Sequence, residues 1–381
     1  MSKKEQGKAP VLRFKGFTDD WEQRKLKELA IFNPKDNLPE EFEYVDLESV
    51  IGTEMLSHKK TALSDAPSRA QRLAKKGDIF YQTVRPYQKN DYLFDKDAEN
   101  YVFSTGYAQI RPKINGNFLF QLLRTERFVK KVLNECTGTS YPAINSKDLS
   151  NIKVSYTNYK EEQRSIGSLL DNLDNLVALQ QRKLDRLKEI RKSYLSKIFP
   201  NKRENRPSLK FNNLKNTSWK PHKLKDIVTN VETGKSKVKL QPKGKYPVLG
   251  STSIIGYNDH YDYSGDFILI ARVGAYAGKM YRFSGSVKIT DNTVFIQSAY
   301  NTFLYYYLRN FNLKKLSFGS GQPLVKSSEL KSLSILIPSS KEEIKAISRL
   351  SIIFDNLINV QEKKVSSIRQ IKKFLLQNMF T

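Results

Sequence analysis

The amino-acid sequence predicts an α+β protein in which two mixed α/β domains are separated by two long antiparallel coiled-coil helices, arranged as a pseudo-twofold tandem repeat. Three observations lead to this prediction. Residues 319–380 in the second half of the chain match residues 138–199 in the first half at one constant shift. Two matched segments have the apolar heptad rhythm of a coiled coil. Short apolar runs bounded by Gly, Asn or Pro lie outside those segments and are typical of strands.

The repeat is longest over the predicted helices. Residues 138–199 align with 319–380 without a gap, and the tripeptide Asp-Asn-Leu at 174–176 recurs at 355–357. A looser match places the motif Trp-x-x-x-Lys-Leu at both Trp21 and Trp219. Because the segment before Trp21 resembles the segment before Trp219, we expect the end of the second helix to lie near the start of the first domain.

These matches divide the chain into six segments. They are a leader (1–20), a first domain (21–157), a first helix (158–199), a linker (200–218), a second domain (219–339) and a second helix (340–380).

Apolar residues in both helices alternate steps of four and three, which predicts that the helices pair. The residues predicted to form the seam are Leu173, Val177, Gln180, Leu184 and Leu187 in the first helix, and Phe354, Ile358, Gln361, Val365 and Ile368 in the second. The polar pair Gln180 and Gln361 either fixes the pairing register or is simply solvated. An ordinary amphipathic core helix is the alternative, but a rod of ~57 Å at ~1.5 Å per residue is longer than most globular helices.

Both domains have mixed patterns. The runs 267–271, 294–296 and 333–337 predict strands, whereas 118–133 and 302–311 have the apolar spacing of helices.

The chain is strongly basic, with 65 Lys and Arg against 39 Asp and Glu and a net charge of +26. Such a charge favours a polyanionic partner. No window approaches the ~20 apolar residues of a membrane-spanning helix, so we expect a cytoplasmic protein without a membrane partner. The single Cys136 and the three histidines predict neither a disulfide nor a metal site.

Two unlike domains, each starting near Trp-x-x-x-Lys-Leu and ending in a Gly-rich loop, a Pro and a long helix, resemble the specificity subunit of type I restriction-modification enzymes. The resemblance covers nearly the whole chain. It is strongest in the duplicated helices and in Gly-Asp-Ile-Phe at 77–80 and Gly-Asp-Phe-Ile at 265–268.

The resemblance implies that each domain is a target recognition domain that reads one half of a bipartite double-stranded DNA sequence. It further implies that the helices set the spacing and dock two methyltransferase subunits, with restriction/translocase subunits beyond them. The specificity subunit of this family performs no chemistry, so no cofactor is expected on this chain; S-adenosylmethionine, ATP and Mg are expected on the partner subunits.

The motifs agree with a chain that has no catalytic role. No Asp/Asn-Pro-Pro-Tyr/Phe run for adenine methylation is present, and Gly234-Lys235-Ser236 lacks the first glycine of a P-loop, since Thr229 stands there.

In the second domain, Lys235, Lys237 and Lys239 alternate, so on a strand they would point the same way towards phosphates. The alternative is a solvated lysine edge that prevents aggregation. Hydroxyl, amide and guanidinium groups suited to base edges, with their neighbours, are predicted at Ser251, Thr252, Ser253, Arg272, Tyr276, Lys279 and Gln322.

In the first domain, the corresponding DNA-binding residues are predicted to be Arg85, Tyr87, Lys89, Thr105, Ser140 and Tyr141. A purely structural role is the alternative for each of them.

Two other classes of protein share some of these features. A nucleic-acid-binding architectural protein would have the charge but would need no bipartite sequence. A non-catalytic coiled-coil scaffold would bind proteins through its globular ends without DNA.

Overall fold

The computed structural model describes residues 9–200, 206–211, 218–235, 239–316 and 323–380. It divides into two compact units. The first unit runs to Gln181 and resumes at Lys363, and the second is Arg182–Glu362. Each unit therefore contains one mixed α/β domain and about half of each long helix. The predicted DNA contacts Lys237 and Gln322 lie outside the described residues.

The domain of the first unit contains twelve short strands and four helices among its described residues. They are β1 Glu22–Lys25, α1 Leu26–Leu29, β2 Ala30–Phe32, β3 Glu41–Val45, β4 Val50–Ile51, β5 Glu54–Met55, β6 Lys59–Ala62, β7 Ala70–Leu73, β8 Ile79–Gln82, β9 Tyr92–Leu93, β10 Tyr101–Ser104, β11 Tyr107–Pro112, α2 Gly116–Leu123, α3 Glu126–Glu135, α4 Ser146–Asn151 and β12 Lys153–Tyr156. Two four-stranded sheets, ordered β6-β3-β10-β7 and β2-β11-β8-β9, form its centre.

The domain of the second unit has a different sheet. After α5, Lys160–Ile198, its elements are β13 Trp219–Lys223, β14 Asn230–Thr233, β15 Tyr246–Leu249, β16 Ile254–Asn258, β17 Tyr263–Ala271, β18 Met280–Ile289, β19 Thr293–Gln297, α6 Asn301–Phe311, α7 Ser327–Ser332 and β20 Ser334–Pro338. One six-stranded sheet runs β14-β19-β17-β18-β15-β16. The predicted strands at 267–271, 294–296 and 333–337 fall within β17, β19 and, apart from residue 333, β20.

Each domain is closed by an antiparallel pair of its first and last strands. In the first unit β1 pairs with β12, and in the second β13 pairs with β20. Because the long helix follows each last strand directly, this pair places the helix start beside the domain start.

The segment with helical spacing at 118–133 forms two helices, α2 and α3. They are separate because Thr125 is the N-cap of α3 and its hydroxyl accepts the N–H of Phe128 at 3.2 Å. An N-cap residue has extended backbone, which interrupts a continuous helix.

The long helices are α5, of 39 residues, and α8, Lys341–Asn378, of 38 residues. They run antiparallel in each unit. In the first unit Asp174 of α5 pairs with Lys372 of α8, and Gln181 accepts a hydrogen bond from Arg369. In the second unit Arg191 of α5 pairs with Asp355 of α8. Within the described ranges, no helix combines the length and the apolar character needed to cross a membrane.

An aromatic trio anchors each domain to the end of a long helix. Trp21 and Phe118 pack against Phe380 in the first unit. Their counterparts in the second unit are Trp219, Phe303 and Phe199. Burial of three aromatic side chains is a large apolar contribution to each core.

The leader and the linker bind helix ends in the same way. The N–H of Leu12 donates to the C=O of Asn378 at 2.8 Å, and the N–H of Leu209 donates to the C=O of Lys197 at 3.0 Å. The end of the second helix therefore lies beside the start of the first domain, as the sequence predicts.

Candidate nucleic-acid interface

In the first unit, the loop that follows β8 is fastened to the Gly-rich loop before α4. The N–H of Arg85 donates to the C=O of Pro142 at 2.7 Å, and the N–H of Ile144 donates to the C=O of Thr83 at 3.0 Å. Two predicted contact segments, one with Arg85 to Lys89 and one with Ser140 and Tyr141, therefore form one surface.

The second unit fastens the loop that follows β17 with matching bonds. The N–H of Gly274 donates to the C=O of Pro323 at 3.1 Å, and the N–H of Val325 donates to the C=O of Arg272 at 2.9 Å. The same loop pair thus occurs on two domains whose sheets differ.

Equivalent positions of the two loops can be read from these bonds. An isolated antiparallel bridge joins Val84 to Ala143 in the first unit and Val273 to Leu324 in the second. Tyr87 then corresponds to Tyr276, and their side chains are 49% and 60% exposed. Each unit therefore presents an exposed tyrosine at the equivalent point of its loop.

The backbone of this loop is left-handed at two positions in both units. Gly274 and Gly278 have φ of 79° and 81° in the second unit, whereas Arg85 and Lys89 both have φ of 54° in the first. Left-handed backbone costs a residue with a side chain roughly 1–2 kcal/mol, and glycine avoids that cost. The first unit therefore keeps two basic side chains where glycine would fit with less strain.

Those two side chains contact neighbouring groups. The Arg85 guanidinium lies 4.2 Å from the ring centre of Tyr141, and Lys89 Nζ lies 2.7 Å from a carboxylate oxygen of Glu126. Ser140 and Tyr141 are exposed. An arginine held on an aromatic ring keeps its edge N–H groups free to donate elsewhere.

Thr105 lies in the turn between β10 and β11 and is half-buried. The C=O of the adjacent Gly106 accepts the hydroxyl of Thr83 at 2.8 Å. Thr83 therefore connects the turn that contains Thr105 to the fastened loops, because its own C=O accepts the N–H of Ile144.

A buried polar support beneath the first-unit loop was not predicted from the sequence. The side-chain amide of Gln82 donates to the C=O of Val84 at 2.6 Å and to Gln88 at 3.0 Å. The buried Asp91 accepts the N–H of Gln82 at 2.9 Å, and burial raises the pKa of this carboxyl to about 6. Gln82 is the polar residue at the end of the apolar run of β8, and this position is the one feature of the sequence from which its supporting role could have been predicted.

The hydroxyl and guanidinium groups predicted in the second unit are partly engaged by backbone. The Arg272 guanidinium donates to the C=O of Asp291 at 3.1 Å, and the Ser251 hydroxyl donates to the C=O of Asn292 at 3.0 Å. Thr252 and Ser253 are exposed, as are Tyr276 and Lys279, whose Nζ lies 5.1 Å from the Tyr276 ring centre.

The prediction that the alternating lysines share a strand does not hold for the described ones. β14 ends before Lys235, which pairs with Asp262 at 3.3 Å, and the exposed Lys239 lies in no strand. The chain leaves β14 at Gly234, where a Cβ would lie 2.3 Å from the backbone oxygen of Thr290. The next residue, Lys235, makes an isolated parallel bridge with Thr290.

The predicted seam positions are all buried or half-buried. Buried are Gln180, Leu184, Ile358, Gln361, Val365 and Ile368; half-buried are Leu173, Val177, Leu187 and Phe354. In the second unit Tyr194 and Phe354 pack across the helix pair with ring centres 5.2 Å apart. No group of three or more His, Cys, Asp or Glu side chains suited to a metal ion occurs in the part of the chain that the structure describes.

The fold and the loops together define a duplicated protein. Its two basic domains have different sheets but present equivalent loops, and each domain packs on a pair of long helices. The chain belongs to the family of the type I restriction modification DNA specificity domain, whose family model matches residues 18–189 and 216–370. Two tandem copies of that domain fit recognition of a bipartite sequence.

Curated relatives are subunits of type I restriction enzymes. The chain is 24% identical over 345 residues to the MjaVIII specificity subunit of Methanocaldococcus jannaschii, covering 81% of this chain and 75% of the relative. It is 26% identical over 193 residues to the HindI specificity subunit of Haemophilus influenzae, covering 47% of this chain and 41% of the relative. The match to the Haemophilus protein thus spans less than half of that protein.

Solved structures share the fold. An S subunit of a type I restriction-modification system from M. genitalium matches with a TM-score of 0.69 and 16% identity, over 98% of this chain and 99% of that one. A chain from a study of complex assembly and conformational transition of the type I system matches with a TM-score of 0.55 and 20% identity, over 97% and 99%. The predicted fold class, two mixed α/β domains with a pair of long helices, is confirmed.

Proposed function

We propose that this chain is the non-catalytic DNA sequence-recognition subunit of a type I restriction-modification complex, in which each domain reads one half of a bipartite double-stranded target. The observation that supports this most is the matching pair of fastened loops on two domains with different sheets. Equivalent loops on different scaffolds suit two readers that use one mode of contact for two different sequences.

Charge supports DNA as the ligand. Residues 219–339 contain 17 Lys and Arg against 7 Asp and Glu. In this role the exposed Lys239, with Lys235 and Lys237, contacts phosphates, which position the domain without carrying sequence information. Arg272 and Gln322 read base edges, because the guanidinium donors match the two acceptors of guanine, and the donor and acceptor of a side-chain amide match the acceptor and donor of adenine.

The outward faces of the helices support two equivalent docking sites. Exposed apolar side chains recur in the register of the helix repeat, so each unit has the same three positions: Leu176, Leu179 and Ile371 in the first, and Leu357, Val360 and Ile190 in the second. Matching surfaces bind matching partners. Two methyltransferase subunits, one per unit, are the partners in this proposal.

In the proposed complex, restriction/translocase subunits bind beyond the methyltransferase subunits. S-adenosylmethionine binds the methyltransferase subunits, ATP and Mg bind the translocase, and this chain binds none of them. The helix pair also sets the distance between the two half-sites.

Reconstitution tests the proposal. The chain alone should transfer no methyl group, and the modification subunit with S-adenosylmethionine should methylate DNA at defined sequences only when this chain is added. Methyl transfer by the chain alone would refute the non-catalytic role, and binding to a protein partner without any effect of DNA would favour the scaffold alternative.

The variant Arg85→Gly is expected to distinguish an effect on the stability of the first domain from an effect on its recognition of DNA sequence. Relief of left-handed strain offsets the lost ring contact and the added freedom of the unfolded chain, so we expect the free energy of unfolding to stay within about 1 kcal/mol. Discrimination at one base pair of the first half-site should fall by ~1–3 kcal/mol. Urea unfolding and sequencing of methylated sites measure the two effects.

Asn312→Gly is the control for Arg85→Gly, because Asn312 also has positive φ, at 60°, but follows α6 outside the fastened loops. It should leave both half-sites unchanged. If Arg85→Gly were to unfold the first unit or keep full discrimination, the loop would not have the assigned role.

A further inference from the structure

Asp174 of α5 joins three groups in the first unit. Its Oδ2 accepts the side-chain amide of Gln121 at 2.8 Å and lies 3.7 Å from the guanidinium of Arg124. Its Oδ1 pairs with Lys372 of α8. One carboxylate therefore contacts the end of α2 in the recognition domain on one side and the opposite long helix on the other.

Asp355 of α8 makes the same arrangement in the second unit. Its Oδ2 accepts the hydroxyl of Tyr306 at 2.7 Å and lies 3.6 Å from the guanidinium of Arg309. Its Oδ1 lies 2.6 Å from the guanidinium of Arg191 of α5. Each set is called a carboxylate bridge below: Asp174 with Gln121, Arg124 and Lys372, and Asp355 with Tyr306, Arg309 and Arg191.

The two carboxylate bridges occupy equivalent positions. Asp174 aligns with Asp355 in the gap-free helix repeat, and Arg191 aligns with Lys372 in the same register. The domain donors Gln121 and Arg124 correspond to Tyr306 and Arg309, at one shared offset. In both domains the donors stand three positions apart at the end of α2 or on α6, a spacing that puts them on one helix face.

Residue identity changes within the carboxylate bridges while the chemistry is kept. Gln121 is replaced by Tyr306 and Lys372 by Arg191, yet every donor remains a donor. Burial and the nearby Arg124 lower the pKa of the Lys372 ammonium to about 8, so this cation lies in a costly environment. A buried ion pair is poor evidence of added stability, whereas its directed contacts can select one arrangement of the groups that it joins.

We infer that Asp174 and Asp355 are positioning residues that fix each recognition domain in one orientation on the helix pair, and so fix the register in which its loops meet DNA. This inference rests on the proposed function. The inference also sets a requirement on any recognition domain that packs on these helices. The domain must place two donors, three positions apart on α2 or α6, opposite the carboxylate of the long helix.

The test uses the full chain with Asp174→Asn or Asp355→Asn. Amide hydrogen exchange should accelerate in α2 of the first variant and in α6 of the second, and stay unchanged in the other domain. In the reconstituted complex, selectivity should fall about tenfold at the matching half-site alone, since a misplacement of around 1 Å can cost up to about a hundredfold.

Tyr306→Phe combined with Arg309→Gln removes the domain side of one carboxylate bridge and keeps the pair between Arg191 and Asp355. It should reproduce the effect of Asp355→Asn at the second half-site. Arg191→Lys, which keeps the charge, should retain selectivity. Glu189→Gln, at an exposed position on α5, is the matched control and should change neither measurement.

Unchanged exchange in α2 and α6 would overturn the inference, as would equal losses at both half-sites. If the wild-type complex methylates no bipartite sequence, the proposed function fails, while the exchange measurement still decides whether the carboxylate bridges hold the domains.

Discussion

Replacing residues 219–339 with the equivalent region of a relative is expected to change one half of the methylated sequence completely and to leave the other half unchanged. The fastened loops of the second unit lie entirely inside this segment, and so does the closing strand pair β13 and β20. No residue of the first domain lies in the exchanged segment. Sequencing of methylated sites measures the result.

The exchanged domain must keep donors that correspond to Tyr306 and Arg309, because Asp355 and Arg191 stay behind in the helices. A paired chimera that lacks both donors is the control, and it should recognise its new half-site with lower selectivity. Altered bases in both halves would show that the domains do not read independently.

Insertion of one heptad after Leu187 and another after Ile368 is expected to lengthen the gap between half-sites. Each heptad adds ~10 Å of helix and preserves the apolar seam. The preferred spacer should grow by up to about three base pairs of ~3.4 Å rise, with both half-site sequences fixed. The accompanying rotation is expected to weaken binding, because docking has to match the helical phase of DNA.

Selection of methylated sites from a library with randomised spacers measures this change. A heptad inserted after Leu187 alone is the control, and it should abolish activity because one helix then lacks a partner for the added turns. An unchanged spacer with full activity in the double insertion would show that the helices dock partners without setting distance.

The sequence predicted the elements that repeat, because heptad spacing and a gap-free match are local signals. The spacing at 118–133 predicted helix but not the break at Thr125, because the break depends on a cap and the apolar spacing continues through it. The described lysines of the alternating set share no strand, because Lys235 instead bridges to Thr290, and alternation along the sequence cannot reveal such a tertiary pairing.

The domain side chains that bind the two helix carboxylates could not be predicted from the sequence, for a different reason. Gln121 and Tyr306 have no similarity as residue types, and only the structure brings each to an equivalent carboxylate. The tripeptide at 174–176 and 355–357 was visible as a repeat, but its partners in the domains lie 53 and 49 residues away. The candidate loops were predicted because hydroxyl and basic residues lie near glycines in the second domain, and the segment with Arg85 to Lys89 was chosen as the corresponding segment of the first.

The decisive measurement is sequencing of every methylated adenine after reconstitution with the modification subunit. We expect one two-part sequence with a fixed spacer, methylated only when this chain is present. Methylation that is independent of the chain, or that follows a single uninterrupted sequence untouched by changes in one of the two domains, would contradict it.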